Sequence, residues 1–338
     1  MMMKKKDAYT VAVVGATSAA GRELIELLEE RRFPVADLVL LEPAESEGER
    51  IEFQGKGARV RKLEKSSFAG IDFAWFCTDA SLSKVFCPIA AAAGAVVIDG
   101  SDVFRMDPAV PLVIPEVNAD ALTGHKGIIA NPDSSVIALS MVLKPLQETV
   151  TIKRVVVTAL QSVSSSGKEA MDELAGQTVS LMNFRDVETN VYRHQIAFNC
   201  IPQVDAFRED GDTRGEATLA EETKKILGDQ AIRVTATAVW VPVFRGHALS
   251  VNIETDKPVP ANEARESLAR SAGVIVYDDP ARDLYPLQTE IAGKDEVFVG
   301  RVREDRTVEH GLNLWIVCDN IRKGAALNAV QIGEHLIR

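Results

Sequence analysis

The segment TVAVVGATSAAGRELIELLEERRF constrains the fold more than any other. Residues 10–15 form a short, β-branched, apolar run, as expected of a parallel strand buried on both faces. A glycine-bounded turn follows. Residues 21–33 then set Leu24, Leu27 and Leu28 on one helical stripe with charges opposite. Further strand-like runs at 37–42, 73–77 and 95–98, with an alanine-rich helical stretch at 83–93, repeat the alternation. Repeated βα units predict an α/β, doubly wound, Rossmann-like parallel sheet. After about residue 130 the pattern changes. Long strand-like runs appear at 152–163, 232–243, 248–255, 296–305 and 311–320, interrupted by helical stretches at 166–180, 217–227 and 260–271. Long strands with few crossovers predict an α+β region: a mixed sheet with helices on one face and the other face open to a partner. The last stretch, 323–337, reads as a helix.

At 338 residues the chain exceeds what one core usually serves, so two domains are expected. A net charge of −11 argues against wrapping nucleic acid or lying on an anionic membrane. No apolar run approaches the roughly 20 residues of a spanning helix. The opening MMMKKKDAYT has no apolar h-region and is not read as a secretory signal. Cys77, Cys87, Cys200 and Cys318 are scattered, with neither metal-ligand nor CxxC spacing. No metal is expected, and the thiols read as reduced and mostly buried in a cytoplasmic protein.

The turn GATSAAG, with Gly15, Thr17, Ser18, Ala19 and Gly21, joins the first strand to the first helix. Gly15 and Gly21 allow the tight turn and close helix–strand packing of a dinucleotide site, with the helix N-terminus facing a pyrophosphate. Ser18 stands where a middle glycine would let the backbone approach most closely. A plain βα turn is the competing reading. Glu42 ends the second strand 21 residues after Gly21, where an acid hydrogen-bonds the ribose 2′-OH of NAD. Glu45, Glu47 and Glu49 follow. Such a surface repels a 2′-phosphate, so these residues favour NAD or no dinucleotide; the bland reading is a solvated acidic loop.

In GIIANPDSSVIAL (127–139) an apolar strand runs into Asn-Pro-Asp, and serines then open a helix. This turn, together with VFRMDPAVPLVIPEVNADAL, AFNCIPQVDAF, ETKKIL, VPVFRGHALSVNIET, FVGRVRED and LWIVCDNIRKGAALNAVQI, strongly resembles aspartate-semialdehyde dehydrogenases over essentially the whole chain. The resemblance implies homodimers with an NADP-binding domain and a catalytic and dimerisation domain. Here these fall at 1–130 with 321–338, and at 131–320. It implies reversible reduction of β-aspartyl phosphate through a cysteine thioester, with a histidine base. The family's cysteine position is held by Ser134, preceded by Asp133 in place of asparagine. The base position is His247, the glutamine position Gln161, and the phosphate-binding arginine Arg105. The substrate-contacting Glu-x-x-Lys falls on Glu222 and Lys225. The arginine that clamps the substrate carboxylate is replaced by Trp240, and the 2′-phosphate arginine by Glu45.

Three chemical parts thus change together. A hydroxyl needs strong base help where a thiol ionises readily, a loss on the order of 10⁴–10⁶ in rate by analogy with nucleophile knockouts. Asp133 adds a charge that opposes an anionic nucleophile. Trp240 has no fork for a carboxylate, with Arg245 a nearby substitute to be tested by geometry. The combination resembles the Usg-type proteins, which lack the cysteine. It predicts a catalytically silent, dimeric pseudoenzyme that keeps a small-anion pocket. The alternative is an oxidoreductase on a different aldehyde or acyl substrate, with Ser134 a positioning group and His247 the acid or base. A serine esterase ranks last, since no GxSxG elbow is present. Ser164–Ser166 reads as a hydroxyl cap on the following helix, and His247 alternatively as a structural histidine holding the turn after VPVF.

Overall fold

The computed structural model describes residues 5–338, the side chain of Glu45 excepted. Residues 1–4 of the opening segment and the Glu45 side chain, on which the 2′-phosphate reading falls, lie outside the described residues. The chain forms two compact units. The first runs to Asp133 and takes back Ala325–Arg338; the second is Ser134–Gly324.

In chain order the first unit contains β1 (Tyr9–Val14), α1 (Ala19–Glu30), β2 (Val35–Glu42), β3 (Arg50–Phe53), β4 (Lys56–Lys62), β5 (Phe73–Phe76), α2 (Ala80–Ala92), β6 (Val96–Asp99), α3 (Pro115–Asn118) and β7 (Ile128–Ala130). The strands lie in the order β3-β4-β2-β1-β5-β6-β7, parallel except for the β3–β4 hairpin. This is the expected Rossmann-like sheet. The hairpin is the addition. No strand is expected there from the sequence, because β3 and β4 are short and rich in charge. Ile51, Phe53 and Val60 are nevertheless buried, and the tip residues Gln54 and Gly55 both have positive φ, as a tight hairpin turn requires. β5 is buried throughout, and Trp75 packs edge-on against Phe33.

The second unit holds α4 (Ser134–Gln147), β8 (Ile152–Ser162), α5 (Lys168–Met182), α6 (Arg214–Leu227), β9 (Arg233–Val241), β10 (His247–Thr255), α7 (Ala261–Ala269), β11 (Val274–Val276), α8 (Gln288–Ile291), β12 (Val297–Glu304) and β13 (Gly311–Cys318). Its sheet runs β11-β12-β13-β10-β8-β9, with β8–β9 and β11–β12 parallel and the other pairs antiparallel. The mixed sheet expected from the long runs is thus present. A π-helical turn, Arg322–Leu327, leads into α9 (Asn328–Ile337), which returns to the first unit.

Candidate active site

The register of the second sheet gathers polar residues at one end. Gln161 pairs with Trp240 where the parallel strands β8 and β9 finish. β10 is antiparallel to both β8 and β13, so it begins at that end, with His247 opposite Cys318. The N-terminus of α4 joins this group. Gln161 Nε2 donates to Ser135 Oγ at 3.1 Å, and Cys318 Sγ lies 4.0 Å from the Ser134 carbonyl oxygen. A Cβ on Gly324 would stand 2.5 Å from Ser134 Cβ, so only glycine fits beside that serine. α6 packs on α4 and β9. It carries Glu222, which is buried, and Lys225, which is half-buried.

His247 is 1% exposed and engaged at both ring nitrogens. The backbone N–H of Ser162 lies 3.1 Å from Nδ1, and Ser165 Oγ lies 3.0 Å from Nε2. A backbone N–H can only donate, so Nδ1 accepts and the neutral ring carries its proton on Nε2. Asn320 secures the surroundings. Its Oδ1 accepts from Gly246 N–H at 2.8 Å and Ser162 Oγ at 3.1 Å, and its Nδ2 donates to Ser164 Oγ at 3.0 Å. These serines correct the expectation of a hydroxyl cap. Gly167, with φ of 87°, occupies the N-cap of α5, and no side chain caps it. The serines lie in a 3₁₀ turn in which the Ser164 and Ser165 hydroxyls bind Asn320 and His247 and the Ser166 hydroxyl accepts from Tyr192. Asn320 and Ser162 were not found by sequence reasoning, because nothing local marks a partner so far along the chain.

Arg245 is already committed. Its Nε donates to the fully buried Asp319 at 2.7 Å, and that carboxylate also accepts the backbone N–H groups of Gly293, Ile321 and Arg322.

In the first unit, the turn after β1 has the geometry of a glycine loop. Gly15 has φ of +81°, and a Cβ there would stand 2.3 Å from the Cys77 carbonyl oxygen; one on Gly21 would stand 2.1 Å from Gly15 O. Ser18 is the N-cap of α1. Its hydroxyl accepts from Gly21 N–H at 3.0 Å and donates to Gly15 O at 2.7 Å, which turns the side chain back into the loop. Glu42 Oε1 accepts both the N–H and the hydroxyl of Thr17, at 2.6 and 2.7 Å. Ala19 opens α1. Arg105 follows β6, and its Nη2 donates to Gly100 O at 2.8 Å.

Residues 10–125 match the family described as semialdehyde dehydrogenase, NAD binding domain, and residues 143–323 match semialdehyde dehydrogenase, dimerisation domain. The chain belongs to the semialdehyde dehydrogenase family. It is 48% identical to an aspartate-semialdehyde dehydrogenase of Aquifex aeolicus and 46% identical to aspartate-semialdehyde dehydrogenase 2 of Vibrio cholerae, each over 98% of both chains. The crystal structure of aspartate semialdehyde dehydrogenase II from Vibrio cholerae superposes with a TM-score of 0.95, covering 98% of this chain and 99% of that one. A probable aspartate-semialdehyde dehydrogenase from Pseudomonas aeruginosa, 37% identical, gives 0.91 over 98% and 99% of the two chains.

For a semialdehyde dehydrogenase, the location of the thiols matters. Cys77 and Cys87 lie in the nucleotide-binding unit. Burial, aided by the charges of Asp99 and Glu42, pushes the Cys77 thiol up to about 12. Burial and Asp99 push Cys87 up as well. Cys318 is fully buried in β13, and Cys200 is exposed. The turn residues fit a dinucleotide: the loop is closed by glycines, a helix of 12 residues starts beside it, and an acid ends β2. Among the described residues no cluster of His, Cys, Asp and Glu is placed to hold a metal ion, and no helix is long and apolar enough to cross a membrane.

Proposed function

We propose that this chain is a cytoplasmic homodimer of the semialdehyde dehydrogenase family, of the Usg type, that binds a dinucleotide and a small anionic ligand but does not run the thioester reaction of aspartate-semialdehyde dehydrogenases. The observation that carries this reading is the state of His247. With Ser134 at the cysteine position, attack on an acyl group would need a strong base to take the hydroxyl proton. The imidazole offers none, because Nδ1 accepts the Ser162 N–H and Nε2 carries a proton directed at Ser165. Asp133, next in the chain, adds a charge that disfavours an alkoxide. Within the second unit Lys225, with Glu222 one helical turn before it, is the residue we assign to the retained anion, Arg105 of the first unit is separately a candidate anion contact, and Gln161 positions the start of α4 through Ser135.

A dinucleotide, when bound, would supply hydride chemistry. Gly15, Thr17, Ser18, Ala19 and Gly21 would hold its pyrophosphate, and Glu42 would accept a ribose hydroxyl through its second oxygen, which favours NAD over NADP. The second reading, an oxidoreductase on a different aldehyde or acyl compound, draws on Trp240. An indole in place of a guanidinium favours a substrate whose apolar part meets that wall.

Purified protein with aspartate semialdehyde, phosphate and NAD or NADP is expected to reduce no dinucleotide above a blank. Calorimetric titration is expected to give tighter binding of NAD than of NADP. A ¹⁵N spectrum of the neutral imidazole is expected to place the His247 proton on Nε2. Phosphate-dependent reduction that disappears in Ser134→Ala would refute the proposal.

A further inference from the structure

A cleft of about 420 Å³ opens in the second unit beside Ser165, the residue bonded to His247 Nε2. This is the size of small-molecule sites, which run from roughly 300 to 1,000 Å³. Its apolar wall is Trp240 with Tyr192, their ring centroids 5.7 Å apart. Arg193, His194 and Gln203 supply its polar side.

The wall is held rigidly. Glu173 of α5 accepts the backbone N–H groups of Asn190 and Val191 at 2.9 and 2.5 Å. Gln177, one helical turn on, accepts those of Ile196 and Ala197 at 2.9 and 3.1 Å. Tyr192 donates its hydroxyl to Ser166 Oγ at 3.1 Å. Ile201 and Trp240 exchange both backbone hydrogen bonds, at 3.0 and 2.9 Å. The segment that carries Arg193 is thus pinned on both sides by buried side chains and strand pairing.

Two groups in this cleft lack partners. Trp240 is only 9% exposed, and its indole N–H has no acceptor among the described residues. The other two tryptophans do have one: Trp75 donates to Ala329 O at 2.9 Å and Trp315 to Pro286 O at 3.0 Å. The indole N–H of Trp240 is not sealed from solvent, so it is open to an acceptor that enters the cleft. Arg193 likewise makes no ion pair among the described residues. The acid in the cleft, Asp205, faces a different cation, with Arg214 Nε at 3.6 Å.

We propose that this cleft binds a small organic acid with an aromatic or similarly flat apolar body. The body lies against Trp240 and Tyr192, an oxygen of the ligand accepts the indole N–H, and Arg193 takes the carboxylate. The guanidinium absent at position 240 is supplied from position 193, farther along the same wall. The ligand selected is bulkier and less polar than a four-carbon amino acid. This deepens the reading of Trp240 given above. It is testable without any turnover.

The test is calorimetric titration of the full-length protein with three probes: phenylacetate, phenethylamine and succinate. Phenylacetate has body and charge, phenethylamine the body with opposite charge, and succinate charge without the body. Phenylacetate is expected to bind most tightly. Arg193→Ala is expected to weaken it roughly tenfold or more, as loss of a charge-assisted hydrogen bond should. Trp240→Phe, which keeps the ring and removes the N–H, is expected to weaken it by a smaller factor. Arg193 is exposed, so its variant is expected to melt with the parent protein, and thermal unfolding checks that. No binding of phenylacetate, equal binding of phenethylamine, or undiminished binding by a folded Arg193→Ala would each overturn the proposal. None of these outcomes bears on the loss of thiol chemistry at Ser134, which the dinucleotide-reduction assay tests separately.

Discussion

The two polar turns of this molecule are built in opposite ways. The turn after β1 is made mostly from its own neighbourhood: Ser18 bonds Gly15 and Gly21, Glu42 reaches back to Thr17, and only Cys77 O, 3.1 Å from Ser18 Oγ, comes from farther along the chain. The cluster around His247 is made from distant parts of the chain. Ser162 and His247 are 85 residues apart, and Ser164 and Asn320 are 156 apart. A local turn depends on backbone geometry, whereas a long-range cluster depends on every strand keeping its register.

This contrast can be broken at either end. The largest effect is expected from Gly15→Ala, which places a methyl 2.3 Å from a backbone oxygen at a positive φ. Left-handed strain and overpacking together should remove roughly 2–5 kcal/mol. Chemical denaturation should show it, and an unchanged midpoint would mean that the turn relaxes freely. Next comes Asn320→Ala, which strips the acceptor from the Gly246 N–H and from Ser162. An orphaned buried donor costs about 2 kcal/mol. The ¹⁵N signals of His247 should then report a mixture of tautomers rather than one. If they stay fixed, Ser162 alone sets the ring.

The gentlest probe is pH. Cys77 is raised to about 12 from the ordinary 9.0. Between those values the unfolded chain loses its thiol proton while the folded chain keeps it. The stability that burial of the neutral thiol preserves is therefore full below about pH 9 and declines as pH rises toward 12. Cys77→Ala should flatten that decline in thermal midpoint; an identical slope would show that other groups control it.

The same contrast explains what could be read in advance. β1, α1 and β2 announce themselves by apolar runs and a leucine stripe, and the glycines sit at their ends. The β8, β9, β10 and β13 runs were equally visible. The β3–β4 hairpin was not, because an edge ribbon buries few side chains and its charges mimic a loop. Ser164–Ser166 was misread for a different reason. Three hydroxyls before a helix are a local capping signal, but Gly167 intervenes; His247 and Asn320, which claim Ser164 and Ser165, become neighbours only once β8, β10 and the end of β13 align, and Tyr192 claims Ser166. Arg245 likewise stood near the substrate positions in sequence, and only the fold shows that Asp319 holds it.

The return of α9 has a consequence for synthesis. Trp75 donates its indole N–H to Ala329, and Leu327, Val330 and Ile332 complete the core around Phe33 and Leu28. On the ribosome, the second unit is synthesised before these residues exist. One face of the nucleotide-binding sheet therefore waits uncovered while more than half of the chain is still being made. Over that interval Trp75 and its neighbours are an exposed apolar surface, prone to association with other chains.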